Sequence, residues 1–219
     1  MKFASLILLL FSFCSIAQNN TGGVFTLKPA LGFNACQVHG DSYDGYNKPG
    51  LFAGAAVNAR INAKASLELG FYFSQKGARH NPNVDKGDYS YYRLNLNYID
   101  MPVLFHYMVN PKYFITLGPS LAYLVSYKEN INYTDRTGQY HFNKTEIGVN
   151  VGLGRKIKNN FFIEVRSSNS ITAIRSYGVV ANLVFFPNPV ARFFNKGFYN
   201  NILTLLVSYK LDFKKRSGS

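Results

Sequence analysis

The chain has 219 residues, enough for one domain. Hydrophobic residues make up 47% of it and charged residues only 16%, against roughly a quarter in ordinary soluble domains. The formal charge is +13, but the N-terminus carries an export signal, which sets nucleic acid aside as a partner.

That signal comes first in chain order. Met1-Lys2 is a short positive region, residues 3–13 are apolar, and Ser15-Ile16-Ala17 supplies the small residues of a cleavage site. Cys14 suggests a lipoprotein, but Phe13 stands where a lipoprotein signal needs a small residue. Residues 1–17 therefore read as a cleaved signal peptide. Cleavage takes Lys2, leaves a charge of +12, and leaves Cys36 as the one cysteine, so no internal disulfide forms. No later apolar run is long enough for a transmembrane helix, so a membrane location requires a closed barrel.

The rest alternates with period 2, the strand signature. Leu67, Leu69, Phe71 and Phe73 oppose Glu68, Gly70, Tyr72 and Ser74. Ile147, Val149, Val151 and Leu153 oppose Glu146, Gly148, Asn150 and Gly152. The minor face is small or polar, which suits the crowded lumen of a narrow barrel with lipid outside. The segments predict eight strands, at about 23–36, 50–61, 65–78, 91–108, 112–128, 141–157, 161–175 and 199–213.

Three connections are very short: 62–64, 109–111 and 158–160. They alternate with long polar ones at 37–49, 79–90, 129–140 and 176–198. Short periplasmic turns and long outer loops are the outer-membrane pattern, and an even strand number puts both termini in the periplasm. Segment 176–198 is too apolar for a free loop, and an extra strand pair there gives ten strands as the alternative. Pro187 and Pro189 oppose it. The expected fold is thus an all-β, antiparallel up-and-down transmembrane β-barrel over residues 18–213, followed by a basic tail, 214–219.

The charges assigned to the inward face are Arg60, Glu68, Arg93, Glu146, Glu164, Arg166 and Lys210. Eight-stranded barrels are filled by side chains, so these are expected to pair as a structural lumen network, with a proton or ion path as the sharper alternative. Tyr98-Ile99-Asp100-Met101-Pro102 interrupts the alternation. With Leu94 and Leu96 taken as outward, it predicts a bulge. His39, His80, His106 and His141 are scattered without metal-ligand spacing. A lipid A-modifying enzyme would need a set such as His106 with Ser74 or Ser120 and a Glu, and no nucleophile motif supports one.

Phe25, Tyr72, Tyr92, Tyr98, Tyr113, Phe114, Tyr127, Phe161, Phe162 and Tyr209 read as interfacial girdles. Lys and Arg in outer loops suit lipopolysaccharide phosphates or, at the rim, ordinary solvation.

Four blocks carry a family resemblance. They are Leu67 to Gly77 (LELGFYFSQKG), Leu96 to Leu104 (LNYIDMPVL), Ile115 to Ser120 (ITLGPS) and Ile147 to Gly154 (IGVNVGLG). In order and spacing they resemble the PorT-like outer-membrane β-barrel family of Bacteroidetes. Its blocks look like LxxELxYSQKG, LNYLxIPVL, GPxxxxL and GxNxGLG. The long 176–198 segment and the basic tail after Phe213 depart from that pattern.

The resemblance implies a barrel in the outer membrane. Most members are uncharacterised, and the family's namesake is a type IX secretion component. The expected role is structural or interactive, with no enzyme activity and no cofactor. A transport- or secretion-associated barrel is the second reading and a lipid A-modifying enzyme the third. The expected partners are outer-membrane lipid, lipopolysaccharide, and a protein at the outer loops.

Overall fold

A computed structural model describes residues 25–41, 43, 45–158, 160–176 and 197–211. The expected signal peptide (1–17), the 214–219 tail and most of segment 176–198 lie outside the described residues.

Eight antiparallel strands form the ring. They are β1 (Phe25–His39), β2 (Lys48–Arg60), β3 (Ala65–His80), β4 (Tyr92–Met108), β5 (Tyr113–Ile131), β7 (Thr145–Lys158), β8 (Phe161–Ser170) and β10 (Gly197–Tyr209). Each pairs with its neighbour in order, and β1 pairs with β10 from Ala30↔Ser208 to His39↔Tyr199, so no open edge faces lipid. Two short strands lie off the ring: β6 (Thr134–Asp135) extends β5, and β9 (Arg175–Ser176) pairs with Gly197 and Phe198. The eight expected strands are the eight of the ring, displaced by a few residues at their ends.

The tight connections are fixed by asparagines. Asn62 Oδ1 accepts from the amides of Lys64 and Ala65, both at 2.8 Å, and Asn110 Oδ1 accepts from Lys112 and Tyr113 at 2.9 Å. A short polar side chain that bonds its own backbone two residues on substitutes for a longer loop. The third turn carries Asn160, whose Nδ2 donates to Lys210 O at 2.8 Å and ties the end of β10 to the β7–β8 turn.

Around the lower barrel the outward residues are apolar and bare: Phe33 is 67% exposed, Phe71 61% and Leu153 68%. Such a band has lipid as its solvent. At the turn end Phe25, Tyr107, Tyr113, Phe161 and Tyr209 are exposed and form an aromatic girdle. Six expected members are not in any girdle. Tyr72, Tyr92, Tyr98 and Phe114 are buried in the lumen, because they share the inward parity of their strands. Phe162 faces the lumen against Phe114, and Tyr127 packs on the buried loop-end residues beside Phe142.

A second correction concerns β4. Leu94 and Leu96 are fully buried and face inward, while Arg93 is exposed on the outside. The strand keeps one phase from Tyr92 to Met108, and it is the surroundings that invert. Below Tyr98 the outside is lipid and the inside polar; above it the outside is water and the inside packed. A bulge does occur at this level, but on the facing strand. Asn97 pairs with Ser126 and Tyr98 with Leu124, so Val125 is the extra residue of β5.

Candidate functional site

The interior is stacked in tiers. Nearest the turn end, Lys28 Nζ lies 2.6 Å from Glu68 Oε2, and His106 Nε2 is 3.2 Å from the same oxygen. Tyr72 donates its hydroxyl to Glu68 Oε1 at 3.2 Å. Arg166 Nε donates to Glu164 Oε1 at 2.9 Å in the same region. A neutral polar tier follows: Thr204 donates to Asn34 Oδ1 at 2.8 Å, and Asn34 Nδ2 donates to Ser74 Oγ at 3.0 Å. Above it Lys76 Nζ sits between Asp100 Oδ1 at 2.9 Å and Glu146 Oε1 at 3.2 Å, and over the Tyr98 ring at 4.7 Å. Asn200 Nδ2 donates to the other Glu146 oxygen at 2.7 Å.

At the loop end the tiers become apolar. Val38, Ala78, Leu94, Leu96, Tyr98, Leu124, Phe142 and Ile174 form one buried cluster. Arg175 Nη1 reaches through it to Glu129, 2.8 Å from Oε1 and 2.9 Å from Oε2. Its guanidinium lies 4.6 Å from the Phe142 ring centre and 4.1 Å from that of Phe198. Glu129 has no solvent exposure and also accepts from Tyr92 at 3.0 Å.

Of the seven expected lumen charges, Glu68, Glu146, Glu164 and Arg166 are in these tiers. Arg60 and Lys210 line a cavity at the turn end, where the lumen opens. Arg93 is outside, for the reason given by β4. Five partners escaped the sequence reading: Lys28, Lys76, Asp100, Glu129 and Arg175. Lys28 and Lys76 share the inward parity of Asn34 and Glu68, a signal present in the sequence. Glu129 does not, because the extra residue Val125 shifts the phase of β5.

An enzyme-like order does exist in the lumen. Thr116 Oγ1 is 2.9 Å from His106 Nδ1, whose far nitrogen faces Glu68. Nucleophile, base and acid would follow in that sequence. But Thr116 is 1% exposed, and Lys28 already holds Glu68. Ser74, the serine first considered for His106, is bonded to Asn34 instead. Among the described residues no group of three or more His, Cys, Asp or Glu side chains could hold a metal.

Closed ring, lipid-facing band and polar filled lumen describe a membrane barrel. Residues 16–175 match the family described as outer membrane protein beta-barrel domain. The chain belongs to that family. Outer membrane protein beta-barrel domains are integral to the outer membrane, and this one has their small eight-stranded form. Solved structures of similar fold include Ail, the attachment invasion locus protein of Yersinia pestis, at 12% identity and a TM-score of 0.48 over 85% of this chain and 98% of that one. Neisserial surface protein A matches at 13% identity and 0.48, over 88% and 100%. CarO of Acinetobacter baumannii matches at 12% and 0.45, over 84% and 97%. No curated protein matches the sequence.

Proposed function

We propose that this outer membrane protein beta-barrel domain is a non-catalytic, closed barrel with a structural or interaction role. The supporting observation is the filled lumen. Charged tiers are internally paired, and the loop end is sealed by the apolar cluster around Leu94, Leu96 and Phe142. Side chains of the described residues fill such an interior. Planar-bilayer recordings of the purified barrel test this: the expected trace is flat, and steady single-channel events would overturn the reading.

The working surface in this reading is the loop end. Arg79 and Arg93 are directly paired across β3 and β4, and both are exposed. Like charges in that position repel, and an anion between them relieves the repulsion. Lipopolysaccharide phosphates supply such an anion at the outer leaflet. The orientation that goes with this has the tight turns and both termini in the periplasm, after removal of residues 1–17. The four sequence blocks favour the PorT-like branch from Bacteroidetes. Affinity capture from detergent-solubilised outer membrane, followed by lipid analysis, tests the partner. Lipopolysaccharide should co-purify with the native barrel and fall several-fold for Arg79→Gln/Arg93→Gln; equal recovery rules this contact out.

A further inference from the structure

At the turn end the lumen opens into a cavity of about 300 Å³. That is at the small end of ligand pockets, which run from roughly 300 to 1,000 Å³. Its wall is strongly one-signed. Lys28, Arg60, Lys64, Lys156 and Lys210 line it, from β1, β2, the first turn, the end of β7 and the residue after β10. Among the described residues no carboxylate lines it.

The contrast with the rest of the interior gives this meaning. Deeper in, every cation named above has an acid: Lys76 has Asp100 and Glu146, Arg166 has Glu164, and Arg175 has Glu129. Of the cavity cations Lys28 is so matched, to Glu68 at 2.6 Å, while Arg60, Lys64 and Lys156 have no carboxylate partner among the described residues. Glu68 is 1% exposed and also faces His106, so it is a spent charge beneath the cavity floor. Arg60, Lys64 and Lys156 therefore bring positive charge without a carboxylate partner to the wall of a concave, partly enclosed space. Low-dielectric walls focus such a field and raise the local concentration of anions. Asn58, Asn62 and Ser66 add neutral polar groups to the same wall.

We infer that this cavity is a binding site for a multivalent anion of the phosphate class. It is separate from the loop-end surface and does not depend on the role proposed for that surface. Two sources share the chemistry: a free phosphate or diphosphate, and the phosphate of a lipid headgroup at the barrel rim. A planar, bidentate Arg60 and flexible lysines match tetrahedral oxyanions.

The test uses the full folded barrel in a zwitterionic detergent without phosphate. Inorganic pyrophosphate is titrated in by calorimetry at low salt. One saturable site is expected, weakening as sodium chloride rises. Arg60→Gln/Lys156→Gln should weaken it at least tenfold. Lys112→Gln/Arg155→Gln, which removes two cations of the same end outside the cavity wall, should leave it unchanged. The folded, heat-modifiable gel band confirms each variant, and Arg60→Gln alone, at an exposed position, serves if the double variant does not fold. No pyrophosphate binding, or equal loss in both double variants, overturns the site. For the source, pyrophosphate is titrated into barrels in phosphatidylcholine vesicles with and without phosphatidylglycerol. Competition by the anionic lipid assigns the site to headgroups, and its absence assigns it to free phosphate.

Discussion

Arg175 holds Glu129 from 46 residues away in sequence, with one guanidinium nitrogen within 2.9 Å of both carboxylate oxygens. The pair closes the loop end of the barrel, and its two members are unequally placed. Glu129 has no exposed surface, whereas 14% of the Arg175 side chain meets solvent. Arg175→Ala strands a buried carboxylate and should cost about 3–5 kcal/mol. Glu129→Gln leaves a cation that can turn toward water while keeping its aromatic contacts, and should cost about half as much or less. Urea unfolding in lipid vesicles, followed by tyrosine fluorescence, reads both. Equal costs would show that the pair is not the asymmetric latch described.

Lys76 is the keystone of the middle tier. Lys76→Met leaves Asp100 and Glu146 facing each other in a dry space and should destabilise by about 3–5 kcal/mol. Adding Glu146→Gln removes half of that repulsion and should recover part of the loss. A double variant no more stable than the single one would mean that Lys76 acts through packing on Tyr98 rather than through charge.

Gly118 faces the interior where β5 crosses β4, and a Cβ built there collides with the carbonyl oxygen of Val103. Backbone cannot swing aside as a side chain does. Gly118→Ala should lower the yield of heat-modifiable folded barrel in refolding assays. Gly138→Ala, in a loop where nothing stands within 4 Å, should refold like the parent apart from a small backbone cost, since its φ is 86°. A similar fall in both would remove the steric explanation.

The β3–β4 loop has its own pH response. Asp88 is held below the usual carboxylate range, first by the Ser90 amide and then by His80, whose Nε2 is 2.6 Å away. A depressed carboxylate contributes order above its unfolded value and loses it as pH falls through the lower folded value. The Ser90 amide resonance should therefore move as pH falls below the ordinary carboxylate range, near pH 4. Asp88→Asn should abolish the titration. Movement centred near neutrality would assign it to another group.

The legible part of this fold was the alternation. Leu67 to Ser74 and Ile147 to Gly154 show their two faces directly, and three asparagine-bearing turns mark the ends of the strands. Arg93, Leu94 and Leu96 were misplaced because period 2 reports which residues share a face, not which face is inside. Where β4 rises beyond lipid, the apolar face turns from the outside to the core while the backbone phase is unchanged. Glu129 was hidden by the single extra residue Val125, which alters no composition. The Arg175 contact joins two segments whose proximity follows from ring closure, and no local pattern carries it. Lys28 and Lys76 were within reach, since parity alone places them on the same inward face as Glu68.

Cys36 is fully buried in the wall of β1, its thiol 3.4 Å from Gln75 O. A membrane-impermeant alkylating reagent cannot touch it while the ring is shut. In a chain processed as proposed above, without residues 1–17, it would also be the sole thiol, and every labelling event would then report one opening of the same molecule. With reagent in excess, the rate of modification becomes the rate at which the β1 seam breathes. The chain thus carries a natural clock for barrel opening, readable by mass shift in intact membranes without any added probe.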